Sequence, residues 1–163
     1  MKNLTRFMIY TLLLCTVIGS IAVACTDENE CSTLGRRELH CTIDTIVDEK
    51  AVSHKLDFLT ITVAVIDSVI LNQDTQVSII SLPLNYTSEQ SVLVLHYDAE
   101  SVETDTLFLT HTNTASFISM ECGYEMKQAL TSVKHTTHRL DSISVKDLNT
   151  NINGTQNLSL IYR

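Results

Sequence analysis

The run Phe117-Ile118-Ser119-Met120-Glu121-Cys122-Gly123-Tyr124-Glu125-Met126-Lys127-Gln128-Ala129-Leu130 carries the sharpest residue alternation in the chain. Ile118, Met120, Cys122, Tyr124 and Met126 fall on one side of a period-two pattern. Ser119, Glu121, Gly123, Glu125 and Lys127 fall on the other. That period puts successive side chains on opposite faces of a strand. Tyr124 to Val133 also contains good helix formers, but the alternation runs through the start of the stretch and favours a strand. Ile118, Met120 and Tyr124 are then expected to face inward. On that register Met120→Asp would bury an unpaired charge.

Working outward, similar short runs recur. Leu39 to Val47 begins as a strand, with Leu39, Cys41 and Ile43 on one face and His40, Thr42 and Asp44 on the other. Phe58 to Ile66, Val69 to Leu71, Val77 to Leu82, Val92 to Tyr97, Asp105 to Thr112, Leu140 to Leu148 and Asn157 to Tyr162 complete the set. Polar turns separate them: Asp48-Glu49-Lys50, Asn72-Gln73-Asp74, Thr87 to Gln90, Asp98 to Glu103 and Asn153-Gly154. Pro83 ends a strand because proline donates nothing to a ladder. Many short strands at regular spacing predict an all-β fold: an antiparallel two-sheet β-sandwich of immunoglobulin-like architecture over residues 34–163.

The first 24 residues read differently. Lys2 and Arg6 form a basic start, Phe7 to Ala24 is almost wholly apolar, and small residues precede Cys25. This is the layout of a helical secretory signal peptide. The flank that follows, Thr26-Asp27-Glu28-Asn29-Glu30, is acidic and offers no stop-transfer cluster. Cys25 directly after Ala22-Val23-Ala24 resembles a bacterial lipobox, which implies a lipoprotein signal peptide over 1–24, lipid (palmitate-type acyl chains) on Cys25, and an acidic tether over 25–33. The acidic run also resembles the stretch that sends lipoproteins of Bacteroidota to the cell surface. The expected location is a bacterial cell envelope, as an outer-membrane lipoprotein on the periplasmic face or the cell surface, held to the membrane by its lipid.

The chain has 11 Lys+Arg against 19 Asp+Glu. Loss of Lys2 and Arg6 with the leader leaves 9 basic residues against 19 and a net charge of −10. Such a surface repels phosphate backbones, so no nucleic-acid partner is expected. Apart from Cys15 and Cys25, the cysteines are Cys31, Cys41 and Cys122, in no C-x-x-C spacing. No zinc site is expected, and one pair plus one buried thiol is the economical arrangement in an oxidising compartment. By alternation Cys41 and Cys122 both fall on inward faces, so a Cys41–Cys122 bridge is one alternative.

Asp105-Thr106-Leu107, Phe117 to Tyr124 and Thr155 to Tyr162 together resemble a family of small uncharacterised lipoproteins from Bacteroidota, known only as a domain of unknown function. The most specific element is Ser119 to Tyr124, a Ser-x-x-Cys-Gly-aromatic stretch. The resemblance implies a Cys31–Cys122 disulfide, which would close a loop of about 90 residues and stabilise by roughly 4 kcal/mol in the chain-entropy model. The family is not known to be enzymatic, so the resemblance bears on class and location and leaves function open.

Nothing in the chain forms a catalytic or cofactor signature. No G-x-S-x-G elbow, no phosphate-cradling glycine loop and no metal-spaced histidine set is present; His135 and His138 would point to opposite faces of a strand. Glu121 and Glu125 on one strand lie too far apart for an acid–base pair. His96 and His111 are read as sheet-surface or hydrogen-bonded residues. Asp44-Thr45-Ile46, Asp67-Ser68-Val69, Asp105-Thr106-Leu107 and Asp141-Ser142-Ile143 are similar to the Bacteroidota O-glycosylation acceptor, so Thr45, Ser68, Thr106 and Ser142 are candidate acceptors. The competing reading is that Asp and Ser/Thr cap turns before strands. The expectation is a non-catalytic, membrane-anchored binding or accessory module with an envelope protein or glycan as partner and no cofactor. The alternatives are an envelope-polymer hydrolase with a site in its loops and a structural domain making contact through an edge strand, most simply Asn157 to Tyr162.

Overall fold

The computed structural model describes residues 35–66, 68–100, 102–120 and 122–163. Cys25, Cys31, the leader and the tether lie outside these residues, as do Asp67 and Glu121. Ten strands form among the described residues, and no helix. They are β1 Leu39–Val47, β2 Lys50–Ser53, β3 Leu59–Val63, β4 Ser68–Asp74, β5 Ile79–Leu82, β6 Gln90–His96, β7 Thr104–Ser119, β8 Gly123–His135, β9 Leu140–Val145 and β10 Gln156–Tyr162. One sheet has the order β2-β1-β10-β9, with β5 also pairing β1; the other has the order β4-β3-β6-β7-β8. The all-β, two-sheet expectation holds.

The core follows from alternation. Leu39, Cys41 and Ile43 of β1 and Leu158, Leu160 and Tyr162 of β10 meet Leu59, Ile61, Leu93, Leu95, Leu107 and Leu109 of the other sheet. Each such side chain withdraws its apolar surface from water, stabilising by about 1.5–3 kcal/mol. In β6 the inward set is Leu93, Leu95 and the following Tyr97, as the alternation requires.

Three expectations are corrected. The ladder between β1 and β10 is parallel, whereas the other strand pairings are antiparallel. A parallel pair needs a long crossover, and here the intervening strands supply it. Its register slips between His40 and Cys41. Asn157 fills the slip: its Oδ1 accepts the His40 amide at 2.9 Å, and its Nδ2 donates to the carbonyls of Asp147 and Asn149. The same ladder removes the proposed edge contact, because β10 lies between β1 and β9 and is nearly all buried. Finally, Phe117 to Leu130 is two strands joined by a hairpin turn. Phe117 pairs with Tyr124 and Ser119 with Gly123. Gly123 takes φ +69°, a conformation that costs glycine little, and Ser119 Oγ accepts the Cys122 amide at 3.1 Å. Alternation continues across the turn by coincidence of sequence. Met120 at 87 % and Tyr124 at 71 % exposure therefore face water, and Ile118 is half-buried.

One buried carboxylate links the sheets. Asp105 of β7 is fully buried. It accepts the amides of His138, Arg139 and Leu140 at 2.8–2.9 Å, the Thr136 hydroxyl at 2.8 Å and the Tyr97 hydroxyl at 3.0 Å. Those amides belong to the segment that carries the chain from β8 in one sheet to β9 in the other. Burial alone raises the Asp105 pKa; the three amides and Thr136 outweigh it and bring it down to about 2. Tyr97 meets Tyr162 of β10 edge-to-face at 5.8 Å, with Arg139 stacked 4.9 Å over the Tyr97 ring.

Met120→Asp should change unfolding free energy by no more than about 0.5 kcal/mol, whereas Leu95→Ala should cost about 2–4 kcal/mol in urea denaturation. Asp105→Ala should cost about 3–5 kcal/mol, because it strands several buried donors. The folded pKa of Asp105 lies below its unfolded value of about 3.9, so its pKa-linked contribution, roughly 2 kcal/mol, is present above that value. It should be lost as pH falls from about 5 towards 2, and stability profiles against pH should show that loss shrinking in Asp105→Asn.

Candidate functional site

The long β7–β8 hairpin is the part of the described domain that departs from sandwich geometry. β6 pairs with β7 only over Thr104 to Thr110, while β7 and β8 stay paired to Ser119 and Gly123. The outer part is therefore a two-stranded arm. Near its end Phe117 is 53 % exposed and packs edge-to-face on Tyr124 at 5.3 Å, beside the exposed Met120. Three large apolar side chains at one hairpin end form the kind of exposed patch that marks contact surfaces.

A buried polar network fixes the root of the arm. His111, 1 % exposed, shares hydrogen bonds with Ser91 Oγ at 3.0 Å and Asn113 Oδ1 at 3.1 Å. Asn113 Nδ2 donates to the carbonyls of Asn85, Tyr86 and Ser88 and so clamps the β5–β6 loop. Gln128, on β8 opposite Asn113, donates its Nε2 to Asn113 Oδ1 at 2.8 Å and to Asn85 O at 3.0 Å. Its Oε1 has no partner among the described residues. Burial lowers the His111 pKa, and the Asn113 hydrogen bond and Glu89 oppose that only in part.

Thr112 faces Ala129 and Thr114 faces Lys127, on the side of the arm opposite the Asn113–Gln128 pair. This side forms an open cleft of about 470 Å³ with Arg37, Asn149 and Thr150. Asn149 and Thr150 are brought there by pairing with β8: Asn149 bridges Ala129, and the Thr150 amide donates to Gln128 O at 3.0 Å. Arg37 is held by Glu125 at 3.0 and 3.4 Å and by Thr150 O at 3.2 Å. Lys127 reaches the same carboxylate at 3.3 Å. The Arg37 hydrogen bond lowers the Glu125 pKa despite partial burial, with Lys127 helping.

The sequence-derived sites are scattered. Cys122 lies in the hairpin turn rather than on an inward sheet face. Cys41 is a free thiol in the core, so the Cys41–Cys122 pairing is not formed; burial pushes its pKa up to about 12. Of the candidate acceptors, Ser68 is exposed at the start of β4, while Thr45, Thr106 and Ser142 are half-buried within paired strands. Asp105, beside Thr106, is the buried carboxylate described above. His138 lies beside Asp105 at 3.4 Å, and no group of three metal-ligating side chains occurs among the described residues. His96 shares a hydrogen bond with Thr62 Oγ1 at 3.0 Å and does not line the cleft. Sequence reading missed Arg37, Thr112, Thr114, Asn149 and Thr150. The sequence places Glu125 and Lys127 on the polar side of one strand, where Glu125 is weighed only against Glu121 as an acid–base pair, and joins neither to Arg37.

The model of DUF6452, a family of unknown function, matches residues 58–162. No curated protein and no solved structure matches the chain.

A buried neutral histidine with a lowered folded pKa stabilises above its unfolded value of about 6.5. Wild-type stability should therefore fall as pH drops from 7 through that value, by thermal melting across pH 5–8. His111→Gln should flatten the profile over that window; an unchanged profile would mean that His111 titrates alike in the folded and unfolded states, with no lowering by burial.

Proposed function

The chain belongs to the DUF6452 family, and from that premise we propose that it is a non-catalytic envelope lipoprotein that binds a partner through its β7–β8 arm. The observation that carries this reading is the arm itself: Phe117, Met120 and Tyr124 are held out in water at the end of a ribbon that the sandwich does not need for its core. Leaving such a patch exposed risks non-specific association, and a binding role offsets that risk.

The anchoring half of the proposal draws on the leader and Cys25, with the acyl chains on that thiol holding the domain at the outer membrane. A Cys31–Cys122 disulfide belongs to the same reading. Its support is that Cys41 is a free thiol buried in the core and so does not compete for Cys122. Of the four candidate O-glycosylation sites, Ser68 is the most accessible.

The test is an intact mass of the protein from its native membrane fraction, coupled to photo-crosslinking in cells. The expected mass is residues 25–163 plus acyl chains. A photoreactive residue at Tyr124 should give a discrete adduct, and one at the equally exposed Val102, near the other end of β7, should not. An unlipidated mass would remove the anchor. Identical patterns from the two positions would remove the arm as the binding element.

A further inference from the structure

The cleft on the outward side of the arm is unlike the rest of the molecule in charge. The chain carries a net charge of −8, yet this concavity is lined by Arg37 and Lys127 together with Thr112, Thr114, Asn149 and Thr150. Glu125 bonds both cations, so one net positive charge remains among the three groups.

The hydrogen-bonding inventory is one-sided. A guanidinium has five N–H donors. Arg37 uses three, on Glu125 and Thr150 O, which leaves two. Lys127 uses one of its three on Glu125. The Asn149 carboxamide donates one N–H to Asp147 and keeps another. The Thr114 hydroxyl has no partner among the described residues. The cleft thus offers several N–H and O–H donors, while the two carboxylates beside it are already engaged, Glu125 by Arg37 and Lys127 and Asp147 by Asn149. Arg37, fixed on two sides, is preorganised, so little side-chain entropy is lost when it receives a ligand.

From this geometry we infer that the cleft is a binding subsite for an acidic sugar residue of a glycan. The sugar carboxylate meets Lys127 and the free edge of Arg37. The ring hydroxyls, which both donate and accept, meet Thr114, Asn149 and the lone pairs of Thr112, whose own proton goes to Ala129 O at 3.5 Å. A bare phosphate or acetate would satisfy the cations and leave the threonine-lined part of a 470 Å³ concavity unfilled. A neutral sugar would leave the positive charge unanswered. This deepens the binding-module reading and rests on it, because it supplies a glycan contact on the same arm.

The test uses the acylated chain in detergent, titrated by calorimetry with trigalacturonate, maltotriose and inorganic phosphate. Trigalacturonate should bind with a millimolar or lower Kd, at least about tenfold tighter than maltotriose, and weaken as salt screens the charges. Lys127→Gln and Thr114→Val alter exposed side chains and should leave the fold intact. Each should weaken trigalacturonate binding by about fivefold. No saturable binding, equal affinity for maltotriose, equal competition by phosphate, or indifference to both variants would overturn the assignment. Discrete crosslinks from Tyr124 without uronate binding would sink the sugar subsite and leave the arm reading standing. Uronate binding without Tyr124 crosslinks would uphold the subsite and move the binding element from the arm's tip to its flank.

Discussion

The Asp105 carboxylate is the interaction on which the two-sheet arrangement depends. A sandwich buries its aliphatic faces only if the chain crosses between sheets, and each crossing takes backbone amides out of a ladder. Between β8 and β9 those amides belong to His138, Arg139 and Leu140, and all three donate to Asp105. An unpaired buried amide costs about 1–3 kcal/mol. A single ionised side chain therefore replaces the strand partner that the crossover lacks. Charge-assisted bonds are about twice as strong as neutral ones, which is why one carboxylate suffices for three amides and two hydroxyls. Tyr97 brings β6 and β10 into the same node through its bond to Asp105 and its contact with Tyr162.

The same device recurs with neutral groups. Asn157 stands in for a missing ladder position where β1 meets β10, and Asn113 clamps three carbonyls of the β5–β6 loop. A carboxamide carries both a donor and an acceptor group, so it imitates a peptide unit at places where strand register breaks. These Asx side chains sit where ladders slip or end, and they let a chain with only one proline and few glycines turn often.

How much of this was legible beforehand depends on the range of the signal. Leu39, Cys41 and Ile43 announce β1 because their burial follows directly from period two, and the same holds for Leu93, Leu95, Leu107 and Leu109. Local alternation does not report which strands become neighbours, so the parallel β1–β10 pairing and the central place of β10 were not readable. The Phe117 to Leu130 run failed for a related reason. The apolar residues run on through even-numbered positions, so the pattern looks continuous, but the chain reverses and Phe117 pairs with Tyr124, which puts odd positions of β7 on the same face as even positions of β8. Gly123 was the available clue: a glycine just after Ser-x-x-Cys offers the positive φ that the turn uses. The cleft was invisible for a stronger reason. Arg37, Thr114 and Thr150 are far apart in sequence, and no local motif joins them.

A two-stranded ribbon is marginally stable alone in water, so the arm has to draw its order from elsewhere. Its root is fixed by the buried His111–Asn113–Gln128 network, and its flank is fixed by Arg37, which ties Glu125 of β8 to the 149–150 segment. Its end is ordered by the Phe117–Tyr124 contact, worth roughly 0.5–1.5 kcal/mol beyond simple burial. None of these interactions is required to close the sandwich core, which is complete at Leu109 and Leu130. Selection for stability alone would favour a shorter hairpin ending near that level. The polar network, the ion pairs and the aromatic clasp all serve to hold an extension in one shape, and a surface held in one shape away from the core is what recognition requires.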